Sequence, residues 1–159
     1  MKALGFDADL VDPPDIICRF NGAKIAVPCK KIYSVANVEK VLSNAVKQVE
    51  AKFDYGIAAF NLDDLLPEDA ILSANTNDEA GKILDDFNVT FLRGQERHFR
   101  KYLESSRLLA AHISTAALAT LKNESPGLTN VRQATIWTIP GLPHDKERQL
   151  KRFFNQMMG

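Results

Sequence analysis

Long apolar runs are missing from this chain. In 159 residues no stretch approaches the ~18 consecutive apolar residues of a membrane span. The start, MKALGFDADL, lacks the basic and then apolar pattern of a secretory leader. A cytoplasmic protein with no membrane partner is the expectation. Cysteine is scarce too: Cys18 and Cys29 are the only two. Both fall in predicted strands, so buried free thiols are expected, and two cysteines without a histidine cluster exclude a structural zinc site. His98, His112 and His144 stand far apart with no ligand spacing. Proline and glycine form no linker and no repeat appears, so residues 1–159 are read as a single domain, large enough for its own core.

Net charge is also absent, but the zero conceals a division. Residues 1–89 hold nine Lys and Arg against fifteen Asp and Glu, and residues 90–159 hold eleven against five. Such a split fits either a polyanion partner on the basic half or two halves of one domain attracting each other.

What is present is a legible order of elements. DIICRF and AKIAVPCKKI alternate on either side of Asn21-Gly22, a dipeptide suited to a type I′ turn. Apolar residues Val35, Val38, Leu42, Ala45, Val49 and Phe53 recur at helical spacing behind Ser34, a predicted N-cap. YGIAAFNL reads as a buried strand. A long helical pattern follows from about Thr76 to Glu104, with an interruption expected near Gly94. RLLAAHISTAAL and VRQATIWTI are read as strands, and DKERQLKRFFNQMM as an amphipathic helix. Hairpin, helix, strand, long helix, two strands and helix make an α/β layer arrangement.

A two-residue loop sets the hairpin register: Phe20 faces Ala23, Cys18 faces Ile25, and Ile16 faces Val27. Asp15 then lies across from Pro28, with Lys30 further along the same face. Diagonal neighbours stand about 7–8 Å apart, so a carboxylate and an ammonium converge beside the helix. An ordinary surface ion pair would account for the same two residues. Pro28 has no N–H, and the count turns its nitrogen away from the first strand toward the next neighbour. The sheet then has to accept it at an edge, at a bulge, or by losing one ladder bond.

The string from Pro13 to Leu65, with Pro14-Asp15 opening one strand and Lys30 near the end of the next, resembles the PD-(D/E)xK nuclease superfamily. Gln48, in NAVKQVE, matches the family's helical glutamine, and YGIAAFNLDDL the strand that follows. The resemblance implies a restriction-endonuclease-like mixed sheet flanked by helices. It also implies a Mg²⁺- or Mn²⁺-dependent phosphodiester-cleaving site, with Asp15 and the Cys29 carbonyl as metal ligands and Asp15, Lys30 and Gln48 as catalytic residues. A bound metal would polarise the phosphodiester and lower the pKa of a water, and Lys30 would stabilise the developing charge. Two features depart from the family. Pro28 stands where the second acid belongs, and fourteen residues before Asp15 are too few for the family's first helix plus a strand. Glu39 and Asp12 are candidates to replace the acid. The expectation is a nuclease-like domain with weak or no cleavage. The alternative is a non-catalytic nucleic-acid-binding or assembly module on the same fold, including a homo-oligomer formed through an apolar sheet edge.

FLRGQERHFRKYLESSR sets Arg93, Arg97 and Arg100 along one helical face with Lys101 beside them. That spacing suits either sequence-independent tracking of DNA or RNA phosphates or a solvated helix face. Trp137, in an alternating run, is expected to be buried rather than free to stack on bases.

Overall fold

The alternating segments on either side of Gly22 pair as the residue pattern requires. The computed structural model describes residues 7–20, 22–123 and 127–158. In it β2 (Asp15–Phe20) and β3 (Ala23–Val27) are antiparallel. Their register joins Phe20 to Ala23, Cys18 to Ile25 and Ile16 to Val27, as counted from the turn. Gly22 has φ 80°, the left-handed value that its missing Cβ permits; Asn21 lies outside the described residues.

Pro28 ends β3, and β4 (Cys29–Lys31) resumes beside β5 (Tyr55–Asn61). Ala26 pairs with Gly56 before the proline and Cys29 with Ala59 after it, so the register passes through unshifted. Pro28 still accepts a 2.9 Å bond from the Ala59 N–H through its carbonyl. The sheet therefore loses one ladder bond and gains no bulge at this point.

Helix α1 (Val38–Lys52) follows a single 3-10 turn at Val35–Asn37, where Ser34 Oγ accepts the Ala36 N–H. Helix α2 (Asn77–Ser105) is capped by Thr76, whose side chain accepts the Glu79 N–H. It runs unbroken through Gly94, contrary to the expected interruption. A helical glycine costs only about 1 kcal/mol, and the buried stripe of Leu84, Phe91, Leu92, Phe99 and Leu103 continues across it. The two predicted late strands are β7 (Leu108–Leu121) and β8 (Leu128–Trp137), and α3 (His144–Met158) closes the chain.

Two strands were not foreseen. β1 (Asp7–Val11) pairs antiparallel with β2, and β6 (Ile71–Ala74) pairs parallel with β7. Both run along mostly exposed positions, so neither carries a strong apolar pattern. β1 is an edge guarded by charge: Arg19 binds Asp7 at 3.2 Å and Asp9 at 2.6 Å. The result is one mixed eight-stranded sheet in the order β1-β2-β3-β5-β7-β6, with β4 beside β5 and β8 along β7. β8 covers β7 from Ala111 to Thr120, so β5 and β6 share the opposite side of that strand.

Alternation assigns the faces. Ala26, Gly56, Ala58 and Phe60 turn toward α1 and α2, and the Phe60 ring meets Phe99 edge-on at 5.6 Å. Val27, Ile57, Ala59 and His112 turn the other way, toward Phe153 and Phe154 of α3. Lys146 ties α3 down by donating to the carbonyls of Leu103 and Ser106 at the end of α2. Cys18 is buried as expected, but Cys29 is exposed, because its row of the sheet opens into cavities rather than packed side chains. Trp137 is half-buried against the Phe99 ring, 6.1 Å away. Among the described residues no helix is long and apolar enough to cross a membrane.

Small residues let α1 approach the sheet. A Cβ built on Gly56 would stand 2.4 and 2.9 Å from the two γ-carbons of Val49, a side chain stiffened by its branching. Gly56→Ala is expected to lower unfolding free energy by about 1–3 kcal/mol in urea titrations. Val49→Ala in the same chain should recover part of that loss.

Candidate functional site

The site is built by the break at Pro28. Because the Pro28 carbonyl faces β5, the N–H and C=O of Cys29 face the opposite edge, toward the start of β2. The Asp15 carboxylate meets them there: Oδ2 accepts the Cys29 N–H at 2.8 Å and the Lys30 ammonium at 3.2 Å. Asp15 is reached through Pro13-Pro14 and has φ 94°, outside the usual region for an L residue. Holding such a backbone costs roughly 1–3 kcal/mol, which the two bonds to Oδ2 help to offset. The side chains of Lys30 and Asp15 are 23% and 36% exposed, so their ion pair itself contributes only ~0–1 kcal/mol.

Lys31 goes the other way, as alternation requires: its Nζ binds Asp64 at 2.8 Å and lies over the Tyr33 ring. Gln48 is on α1. Glu39 and Glu50 of the same helix bind Lys101 and Arg107 on the α2 side, and helical phase sets Gln48 on the other flank, over β3. Its Oε1 is buried and has no hydrogen-bond partner among the described residues. An orphaned buried acceptor costs about 1–3 kcal/mol, so this atom marks a place where a donor is wanted.

The donor set does not fit a resident Mg²⁺ or Mn²⁺. Such ions favour several oxygen ligands with at least one or two carboxylates. Here one carboxylate, Asp15, already bonds an ammonium and an amide through Oδ2. Among the described residues no three His, Cys, Asp or Glu side chains group together. Neither substitute acid joins the site. Glu39 Oε1 accepts from Lys101 at 2.7 Å, with His98 Nδ1 3.7 Å from Oε2, and Asp12 is an exposed turn residue. What the arrangement offers chemically is a cation, Lys30, held by a single carboxylate that an incoming phosphate could displace.

The basic helix face is partly occupied. Arg100 binds Glu96 at 2.7 Å and Glu104 at 3.7 Å, and Lys101 is bound to Glu39. Arg93 and Arg97 are exposed and make no ion pair among the described residues. Residue spacing alone does not separate the two pairs, because Glu39 reaches Lys101 from another helix.

The hydrogen bond from Lys101, and then its charge, hold the Glu39 carboxyl below the usual carboxylate range. A depressed folded-state pKa adds stability above the unfolded carboxyl value, and that stability is lost as pH falls through the folded one. In Lys101→Met the Glu39 carboxyl should rise toward its ordinary value, read by NMR titration of its side-chain carbon, and the variant should lose part of the wild type's acid-dependent change in stability. Comparison with protein-family models, curated proteins and solved structures finds no match for this chain.

Proposed function

We propose that this chain is a nuclease-like domain on a restriction-endonuclease-like frame whose phosphodiester-cleaving site is incomplete, so that cleavage is weak or absent. The observation that carries the reading is the convergence of Asp15 and Lys30 at the proline break, with Pro28 at the position of the second acid. Gln48, with its unpartnered buried oxygen on the neighbouring flank of α1, supports the same site. One carboxylate without a second gives metal-dependent chemistry little to build on. Two free thiols agree with a cytoplasmic compartment.

Nicking of supercoiled DNA with Mn²⁺ tests this reading. Wild type and Lys30→Ala should both lie near background. Pro28→Glu supplies the acid and restores an N–H facing β5, and should raise nicking by about a hundredfold. Strong wild-type cleavage indifferent to Lys30→Ala would place any chemistry elsewhere. A folded Pro28→Glu chain that remains inert would count against the nuclease-like frame.

The exposed pair Arg93 and Arg97 favours a second reading, non-catalytic binding of DNA or RNA phosphates. Charge reversal at both should weaken binding and reduce the salt slope by about two. Arg100→Glu should do less, since Glu96 and Glu104 already engage that side chain. Affinity insensitive to salt and to all three changes contradicts it.

A further inference from the structure

The face of the sheet turned away from α1 carries a separate concavity. Cys29, Ala59 and His112 stand in one row across β4, β5 and β7, with Ile136 of β8 next in line. Ala59 ends at its Cβ, so a gap remains between the thiol and the imidazole. Two cavities meet at this neck. The inner one, about 260 Å³, is walled by Ile16, Val27, Ile57, Ile136, Phe153 and Phe154. The outer one, about 360 Å³, opens past Lys31, Asn61 and Ser114.

The electrostatics of the neck restrict what can enter. Burial lowers the His112 imidazole below its ordinary value, leaving it neutral at pH 7 with one donor and one acceptor. The two lysines at the outer cavity are already engaged, Lys30 by Asp15 at 3.2 Å and Lys31 by Asp64 at 2.8 Å. No uncompensated charge is offered to a ligand. An ion entering the neck would lose hydration without gaining a counter-charge, whereas an uncharged polar head can exchange water for His112 and Ser114. The inner walls then ask for an apolar body, in a volume near the lower end of small-molecule sites, roughly 300 Å³.

We propose that this chamber binds small uncharged amphiphiles, with an alcohol, phenol or amide head at the Cys29–His112 neck and an apolar body against Phe153 and Phe154. The apolar chamber lies on the other face of the sheet from α1, and it touches the Asp15–Lys30 pair only at the outer cavity, where Lys30 is one of the lining residues. Cys29 is also its reporter, being exposed while Cys18 is buried.

The test is alkylation of Cys29 by iodoacetamide, an uncharged reagent, resolved from Cys18 by mass spectrometry, with 1-octanol as the probe. Octanol should slow labelling of Cys29 in a saturable way. Octanoate and octylammonium should need about tenfold higher concentration for the same protection, reflecting the cost of desolvating a charge. Ala59→Leu fills the neck and should abolish protection. Ile136→Ser, on the exposed side of an edge strand, should weaken it and serves if Ala59→Leu does not fold. Absence of protection by octanol up to its solubility overturns the proposal, as does protection that survives both substitutions. Equal protection by octanoate overturns the uncharged class of ligand.

Discussion

A proline inside a sheet strand removes a donor from the ladder, and the site of this protein depends on how that loss is absorbed. Pro28 neither shifts the register nor bulges the strand. It turns its nitrogen to β5, gives up one bond, and keeps its carbonyl bonded to Ala59. The next residue must then present its own N–H and C=O to the other edge, where β2 has just begun. A carboxylate at that point finds an amide donor and, one residue on, an ammonium. The order of elements around this break follows from the same constraint: β4 can resume only beside β5, and α1 can lie down only over the small residues that line β3 and β5.

A second consequence is electrical. The charged groups near the break are nearly all committed to each other: Lys30 to Asp15, Lys31 to Asp64, Lys101 to Glu39. Such pairs are individually weak at a solvated surface, but they decide what remains available. They leave a single carboxylate where a metal centre needs more, a neutral neck beside Cys29 and His112, and Arg93 and Arg97 on α2 as cations without an ion pair among the described residues. The opposite charge of the two halves of the chain is thus spent in part on contacts between α1 and α2.

The hairpin was legible because a two-residue turn leaves one register open, and counting from Phe20 and Ala23 reaches Asp15 and Pro28 without ambiguity. Ser34 and the apolar stripes likewise announced the helices. β1 and β6 were not legible, since an edge strand of mostly exposed residues has no buried face to impose alternation. Nor was the row joining Cys29, Ala59 and His112. Parallel pairing brings together segments separated by long crossovers, and nothing local in either segment states the register. The ion pair from Glu39 to Lys101 was hidden for the same reason, and with it the division of the basic face into engaged and exposed members.

The central claim is that the Cys29 amide donates to the Asp15 carboxylate beside Lys30. The direct measurement is the ¹H and ¹⁵N shift of the Cys29 amide in the wild type and in Asp15→Ala. The account predicts a downfield amide proton that moves upfield when the carboxylate is removed. A Cys29 amide with the same shift in both, in chains that remain folded, would contradict it.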